Sequence, residues 1–300
     1  GVINITTRRP PSEFGGYLDA EYGNFDQTRV TGSIGGPLVD GKLNGSVAGV
    51  YHDRSGTLDN VILDRDVNDL HDWGARGSLM FTPSDDAEFL FAAEYREVDQ
   101  TAKTYETLIN NYNSLPGAFG MLLNTDPYDR KVFSDYAGKE TLEAWGASLR
   151  GVVGFDGFDF ITITGYNEHD YFNSGESDLT PMGIGRNNDP ESIERFTQEF
   201  RLSSTGDGRL SWDAGVYYYQ LDSVTAGEIE LEEDLLAALG SSETYMKGTT
   251  TGDMTADSYS AFGSLDYAVT DHFDVTLGAR YTYESKSIDY DQQDFEAELG

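Results

Sequence analysis

The chain has 300 residues, and its 53 Asp and Glu outnumber 20 Lys and Arg, giving a formal net charge of −33. Such an acidic chain repels phosphate backbones, so nucleic acid is not expected as a partner. Aromatic residues make up 13% of the sequence, which excludes a disordered chain, and the lack of cysteine excludes disulfides, thiolate metal sites and cysteine nucleophiles. No apolar run reaches the roughly 18 residues that a membrane-spanning helix requires.

Alternation of apolar and polar residues recurs along the chain and predicts a series of β-strands. It is clearest over residues 273–284 (FDVTLGARYTYE). The same pattern covers residues 73–81, 89–96, 196–203 and 210–219. Residues 158–171 alternate too poorly to fix a register. The sequence therefore predicts an all-β protein whose strands each have one apolar and one polar face.

The connections between these strands alternate in length. Tight turns rich in Gly, Pro and Asp are predicted at residues 37–42, 83–86, 154–157, 205–208 and 270–272. Long connections lie between them, at residues 56–68, 101–140, 174–192 and 225–255, whereas the first connection, at 24–27, is short. In an antiparallel meander this alternation gathers the tight turns at one end of the sheet and the long loops at the other. That asymmetry is typical of outer-membrane barrels.

Strand length supports the same interpretation. Several segments run for about 10–15 residues, longer than the usual 5–6 and sufficient to cross a membrane at a tilt. Aromatic residues lie at both ends of such segments, as Trp73 and Phe81 do, which is typical of two interfacial girdles. About eleven strands can be counted, and single-chain barrels have an even number. The chain is therefore expected to be part of a larger transmembrane antiparallel β-barrel, cut at both ends.

The polar faces of the strands are expected to line the lumen. Arg or Lys facing lipid near the membrane midplane costs about 2–4 kcal/mol. The charged residues predicted to face the lumen are Arg76, Glu94, Arg96, Glu199, Arg201, Asp213 and Arg280. The solvated face of a soluble sheet would explain the mixed charges equally well, but not the long strands or the paired aromatic ends.

Several short motifs resemble those of TonB-dependent outer-membrane receptors. The opening residues GVINITTRRP resemble the strand that closes the plug domain of that family and leads into the barrel. AEYGNF at 20–25, GSIGGPL at 32–38, TQEFRLSS at 197–204 and LGARY at 277–281 resemble its barrel. The resemblance therefore runs along the whole chain, and it is greatest for the ferric-siderophore type.

The resemblance implies a plug enclosed by a barrel of about 22 strands. Residues 1–10 would be the end of the plug domain, and residues 11–300 the N-terminal half of the barrel. It also implies import of an iron-siderophore-like small ligand, energised by the TonB complex through an N-terminal region outside this chain. Outer-membrane lipid and lipopolysaccharide would surround the barrel. The same fold importing cobalamin, an oligosaccharide or a peptide, and a plugless porin or adhesin barrel, remain alternatives.

Ligand recognition is expected on the long loops, because binding residues concentrate on loops held by a rigid scaffold. Aromatic and cationic side chains there could hold an anionic iron chelate. The candidates are Tyr105, Tyr112, Tyr128, Arg130, Lys131 and Arg186. The alternative is that these side chains only pack the loops together. Within the last long connection, residues 227–239 predict a short amphipathic helix with acidic residues near its start.

No metal centre, cofactor or catalytic site is expected. Asp64, Asp66 and Asp69, and a second acidic segment at 289–294, place carboxylates in patterns that a hard cation could use. Counted from Asp64, however, the two positions that an EF-hand loop fills with Gly and Glu hold Asp69 and Ala75. The four histidines lie far apart and outside any catalytic motif, so the sequence does not predict an enzyme.

Overall fold

The structure is a computed structural model that describes residues 7–106, 126, 128–176, 178–206 and 208–296. In chain order its elements are β1 (Gly15–Tyr22), β2 (Thr28–Val39), β3 (Leu43–Arg54), β4 (Leu58–Asn60), β5 (Arg65–Val67), β6 (Leu70–Ser84), β7 (Ala87–Gln100), β8 (Lys131–Val132), β9 (Lys139–Phe155), β10 (Phe158–Glu176), β11 (Gly185–Ser204), β12 (Leu210–Glu232), α1 (Glu233–Ala238), β13 (Tyr245–Thr270) and β14 (Phe273–Glu296).

Eleven of these strands form one antiparallel sheet in which each strand pairs with the next along the chain. The exceptions are β4, β5 and β8, which form a small second sheet. The predicted all-β fold and its eleven strands are therefore confirmed. We call the eleven-stranded sheet the wall. The tight turns are confirmed as well, and Gly41 and Gly157 adopt positive φ angles of 65° and 88° in two of them. We call the edge that carries these turns the turn end, and the opposite edge the loop end.

Two of the four predicted long loops are wrong in extent, because the strands continue through them. The 174–192 connection shrinks to 177–184, between β10 and β11, and the 225–255 connection shrinks to 233–244, between β12 and β13. The predicted helix over 227–239 is wrong in its first half for the same reason. Residues 227–231 of β12 pair with β13 on one side, and residues 228–231 pair with β11 on the other. Only Glu233–Ala238 is helical.

The sheet is much longer at the loop end than a membrane requires. β13 has 26 residues, which corresponds to about 80 Å along the strand, whereas about 9–11 residues cross a bilayer. Among the residues that the structure describes, no helix is both long and apolar enough to cross a membrane.

The best-buried side chains lie at the loop end of the molecule. Within the described ranges, the largest side chains with almost no exposure are Val67, Asn60, Thr180, Ser134 and Ser174. They come from β4, β5, β10 and two connections. The small sheet holds these segments together, with β4 antiparallel to β5 and parallel to β8. The loop end is therefore a packed unit, since its side chains have an interior of their own.

Candidate functional site

The strand register places all seven predicted lumen-facing residues on one face of the eleven-stranded sheet. Directly opposite residues in an antiparallel pair point to the same side. One continuous row of partners runs from Glu88 through Val152, Ile161, Arg201, Gly215 and Phe262 to Arg280. The other predicted residues lie at even spacings from members of this row, or opposite Glu94 in the case of Arg76. We call this side of the sheet the charged face.

Charges on this face are neutralised by neighbours of opposite sign. Arg76 forms an ion pair with Glu94. Arg96 donates two hydrogen bonds of 3.0 Å to the two carboxylate oxygens of Asp72. Such bidentate pairs fix both side chains. The charged face is therefore a mixed, internally paired surface.

The segment that precedes β1 lies against the charged face. Arg9 Nη1 lies 2.9 Å from Glu88 Oε1, and Arg150 lies 3.5 Å from the same oxygen on the other side. Arg76 Nη2 donates to the Thr7 hydroxyl at 3.2 Å. Thr7 of the predicted plug end thus contacts Arg76, which the sequence predicts to line the lumen, and Arg9 contacts Glu88 on the same face.

At the other end of the row, Arg280 lies over two aromatic rings. Its guanidinium carbon is 5.7 Å from the centre of the Phe262 ring and 5.8 Å from that of Tyr217, within the range of a cation–π interaction. The Phe262 ring occupies the space above Gly215, where a Cβ atom would lie 2.5 Å from Phe262 Cζ. A glycine is required here because the ring covers the backbone.

We therefore expect Gly215→Val to destabilise the wall by about 1–3 kcal/mol through overpacking. The measurement is the temperature at which the folded protein loses its heat-modifiable mobility in detergent gels. Gly77→Val is the matched control, because a Cβ at this strand glycine would meet nothing within 4 Å. Equal melting of the two variants would contradict the role given to Gly215.

The opposite side, the apolar face, carries aromatic residues at two levels. Near the turn end, the rings of Phe81 and Phe89 are centred 6.5 Å apart. Towards the loop end, similar pairs join Trp73 with Tyr95 at 5.1 Å, Trp145 with Tyr166 at 4.9 Å, and Tyr218 with Tyr259 at 4.8 Å. The two levels have the spacing of interfacial girdles. From Phe273 to Tyr283 the strand advances about 33 Å, or about 25 Å along a tilted barrel axis.

A row of carboxylates lies on the apolar face immediately beyond the upper aromatic level. Its members are Glu97, Glu143, Glu168, Asp170, Glu194 and Asp222. Tyr95 donates to Glu97 at 3.1 Å, and Tyr166 donates to Glu168 at 3.1 Å and to Glu194 at 3.3 Å. We call it the acid row. Such carboxylates cannot lie in hydrocarbon, so the acid row marks the limit of any lipid contact. The acid row could be recognised in the sequence, because each of these glutamates or aspartates lies at an even spacing from an aromatic residue of the same strand and so points to the same face.

Four of the six predicted ligand residues lie on or beside the small sheet. Tyr128 is 81% exposed, and Tyr105, Arg130 and Lys131 are also exposed. The Arg130 guanidinium lies over the Phe25 ring, 5.2 Å from its centre. The Arg130 amide donates to Glu106 Oε1 at 2.7 Å, and its carbonyl accepts from the Asp59 amide at 2.8 Å. Tyr112 lies outside the described residues.

Arg186 is not close to this group. It lies 3.0 Å from Glu232 Oε1 and 3.9 Å from Asp135 Oδ2, and its guanidinium carbon is 4.4 Å from the centre of the Tyr136 ring. These contacts join β11, β12 and the connection before β9. The role of Arg186 in ligand binding stays a prediction, and these contacts show that its guanidinium binds other side chains of the same chain.

Of the acidic segments considered for calcium, Asp69 lies 3.5 Å from His71 Nε2, and His71 also forms an ion pair with Asp53. Throughout the described ranges, no three His, Asp or Glu side chains are arranged as a metal centre. His169 lies 3.3 Å from Glu191, a single contact on the sheet.

Comparison with known proteins relates the whole chain to receptors. No family model matches the sequence. The chain is 26% identical over 299 residues to pesticin receptors of Yersinia enterocolitica and Yersinia pestis, covering 97% of this chain but 39% of theirs. The chain therefore spans about two fifths of the length of these relatives.

Solved structures share the fold. The ferric yersiniabactin uptake receptor from Yersinia pestis superposes with a TM-score of 0.72 at 20% identity, over 96% of this chain and 44% of that one. The ferripyoverdine receptor of the outer membrane of Pseudomonas aeruginosa gives a TM-score of 0.67 at 14% identity, over 96% and 40%. The chain is thus a homologue of the pesticin receptors, and its sheet has the fold of part of the barrel in these outer-membrane receptor structures.

Proposed function

We propose that the protein is an active importer that binds a ferric-siderophore-like ligand at the cell surface and moves it inward with TonB-coupled energy. Residues 1–10 are the end of its plug domain, and residues 11–300 form the N-terminal half of its barrel. The charged face lines the lumen, the apolar face meets lipid, and the acid row lies at the level of lipopolysaccharide. Contact of Thr7 and Arg9 with the charged face supports this arrangement, since a plug end must touch the lumen wall.

The proposal that the ligand is an iron chelate rests on the exposed surface beside the small sheet. Tyr105, Tyr128, Arg130 and Lys131 present aromatic and cationic groups in a chain that is otherwise strongly acidic. An anionic iron chelate with aromatic rings would interact with both kinds of group. Cobalamin or a neutral oligosaccharide would gain little from the two cations. The relatives named above include receptors for iron chelates, which supports the same class.

The test is binding and uptake by the intact receptor purified from, or expressed in, outer membranes. We expect one or more ferric catecholate, phenolate or hydroxamate chelates to bind, and radioactive iron to enter cells only when TonB and the proton-motive force are present. Binding of cobalamin or an oligosaccharide in place of every ferric chelate would overturn the ligand class. Uptake that continues without TonB would favour an open porin.

The double substitution of Arg130→Gln and Lys131→Gln tests the ligand residues. Since a charge-assisted hydrogen bond contributes about 1.5–3 kcal/mol, we expect affinity for the ferric chelate to fall by about tenfold or more. Lys42→Gln is the matched control, because this exposed lysine lies in a tight turn at the turn end. Unchanged affinity in the double variant, with normal folding, would remove these two residues from the binding site.

A further inference from the structure

Three carboxyl groups meet in the interior of the loop end with too few hydrogen-bond donors. They are Asp135 from the connection before β9, Glu176 at the end of β10, and Asp178 in the turn that follows. One oxygen of each is buried without a hydrogen-bond partner: Asp135 Oδ1, Glu176 Oε2 and Asp178 Oδ2. Asp178 is only 8% exposed. We call these three groups the carboxyl cluster.

The donors in the vicinity are already used on the other oxygens. The Thr180 amide donates to Glu176 Oε1 at 3.0 Å and to Asp178 Oδ1 at 2.9 Å. The Thr180 hydroxyl also donates to Asp178 Oδ1. Among the residues that the structure describes, Arg186 is the cation in contact with the cluster, and it lies nearer to Glu232 than to Asp135. The unpartnered oxygens therefore face other acceptors, and such an arrangement is stable only if something positive lies between them.

The surrounding charges increase this requirement. The charged groups that face the cluster are Arg186 of β11, Glu230 and Glu232 of β12, and Asp234 of α1. The single positive charge of Arg186 thus faces the three carboxyl groups of the cluster and further acidic side chains. We propose that Glu176 of the carboxyl cluster stays protonated, and that the hydrogen bond donated by this proton holds three connections of the loop end together. These are the connections before β9, after β10 and after β12, and we call this arrangement the latch. The neutral carboxyl donates to Asp178 or Asp135, so the donor that the cluster lacks is supplied.

The electrostatics agree in direction with the geometry. Burial, reinforced by the negative charge of Asp178, raises the pKa of Glu176 to about 9. Burial also raises the pKa of Asp178 and that of Asp135, although Arg186 opposes the rise at Asp135. Because the latched state keeps a proton that an opened Glu176 releases, opening becomes easier as pH rises from about 4.5 to about 9 and changes little above that.

The latch joins segments that are distant in sequence. The Asp135 amide donates to the Thr180 carbonyl at 3.1 Å, which ties the connection before β9 to the turn after β10. The Gly183 amide donates to Asp234 Oδ2 at 2.9 Å, which ties that turn to α1. When Glu176 ionises, repulsion from Asp178 and Asp135 acts on all these contacts at once. Amide protection at Asp135 and Thr180 is therefore the direct readout.

The experiment is hydrogen exchange on the intact receptor, comparing wild type with Glu176→Gln and with the exposed control Glu243→Gln. Comparison at the same pH removes the intrinsic dependence of exchange on pH. Between about pH 6 and about pH 8, we expect opening of the wild-type latch to increase by up to about 100-fold, and that of Glu176→Gln to stay constant. Glu243→Gln should behave like wild type.

Two further measurements complete the test. If Glu176→Gln does not fold, infrared spectroscopy of the wild type at neutral pH should still show the carbonyl band of a protonated carboxylic acid, and its absence would overturn the proposal. The same proposal fails if wild type and Glu176→Gln share one pH dependence. It also fails if calcium chloride, at constant pH, increases protection in wild type but not in Glu176→Gln, because a cation would then occupy the place given to the proton.

Discussion

Leu149→Arg should destabilise the folded receptor by about 2–4 kcal/mol, because it places a charge on the apolar face near the middle of the hydrocarbon layer. Leu149 lies in β9 between Trp145 at the upper aromatic level and Phe155 near the turn end, and it is 40% exposed in the isolated chain. Its cross-strand partners are Phe91 and Thr164. No carboxylate on this part of the face could pair with a new arginine.

The matched control is Val224→Arg, which makes the same kind of change on the same face but beyond the acid row. Val224 in β12 is 52% exposed, two residues further from the turn end than Asp222. There the cost should be about 0–1 kcal/mol, because water and carboxylates surround the side chain. Unfolding by urea in lipid vesicles measures both values. A soluble wall would give two small and similar costs, and that result would contradict the lipid-facing assignment.

The contrast between Leu149 and its neighbour Arg150 shows why the wall could be predicted from sequence. Adjacent strand residues point to opposite sides, and in the proposed barrel these sides meet hydrocarbon and water, so apolar and polar residues alternate along the chain. Strand number, tight turns and the charged face follow from that one rule. The acid row obeys the same parity but is not among the predicted features, because most of its residues lie just beyond the clearly alternating segments or within 158–171, whose register the sequence does not fix.

The extensions of β12 and β13 could not be predicted in this way. Beyond the acid row both sides of the sheet are exposed to water, so polar and apolar residues no longer alternate there, as Thr249, Thr250 and Thr251 show. The packing of the loop-end interior could not be predicted from the sequence either. Asn60 and Ser134 are 74 residues apart and are joined only by tertiary contacts. The same holds for the group around Arg186, whose partners come from two distant elements.

Asn60→Leu should open the loop end while leaving the wall folded. The Asn60 side chain is 0% exposed and forms hydrogen bonds with three backbone groups. Its Nδ2 donates to the Ser134 carbonyl at 2.9 Å, and its Oδ1 accepts from the amides of Ile62 at 3.0 Å and Leu63 at 3.1 Å. Leucine has a similar size but leaves these three backbone groups without partners. The buried Ser134 carbonyl would cost about 1–3 kcal/mol when unpaired, and the part-buried amides of Ile62 and Leu63 would add less, so a local loss of about 3 kcal/mol is expected.

The loss should be confined to the loop end, because the wall has its own ladder of hydrogen bonds and the hydrogen bonds of the Asn60 side chain in the described part of the chain are all to loop-end groups. Amide exchange should accelerate by about 100-fold at Asp59 and Val61, which donate to the carbonyls of Arg130 and Val132, and stay unchanged in β9 and β10. Asn24→Leu, at an exposed turn of the same end, is the control. Since β4 and β8 position Arg130 and Lys131, affinity for the ferric chelate should fall together with protection. Loss of wall protection in Asn60→Leu would show that the loop end and the barrel fold as one unit.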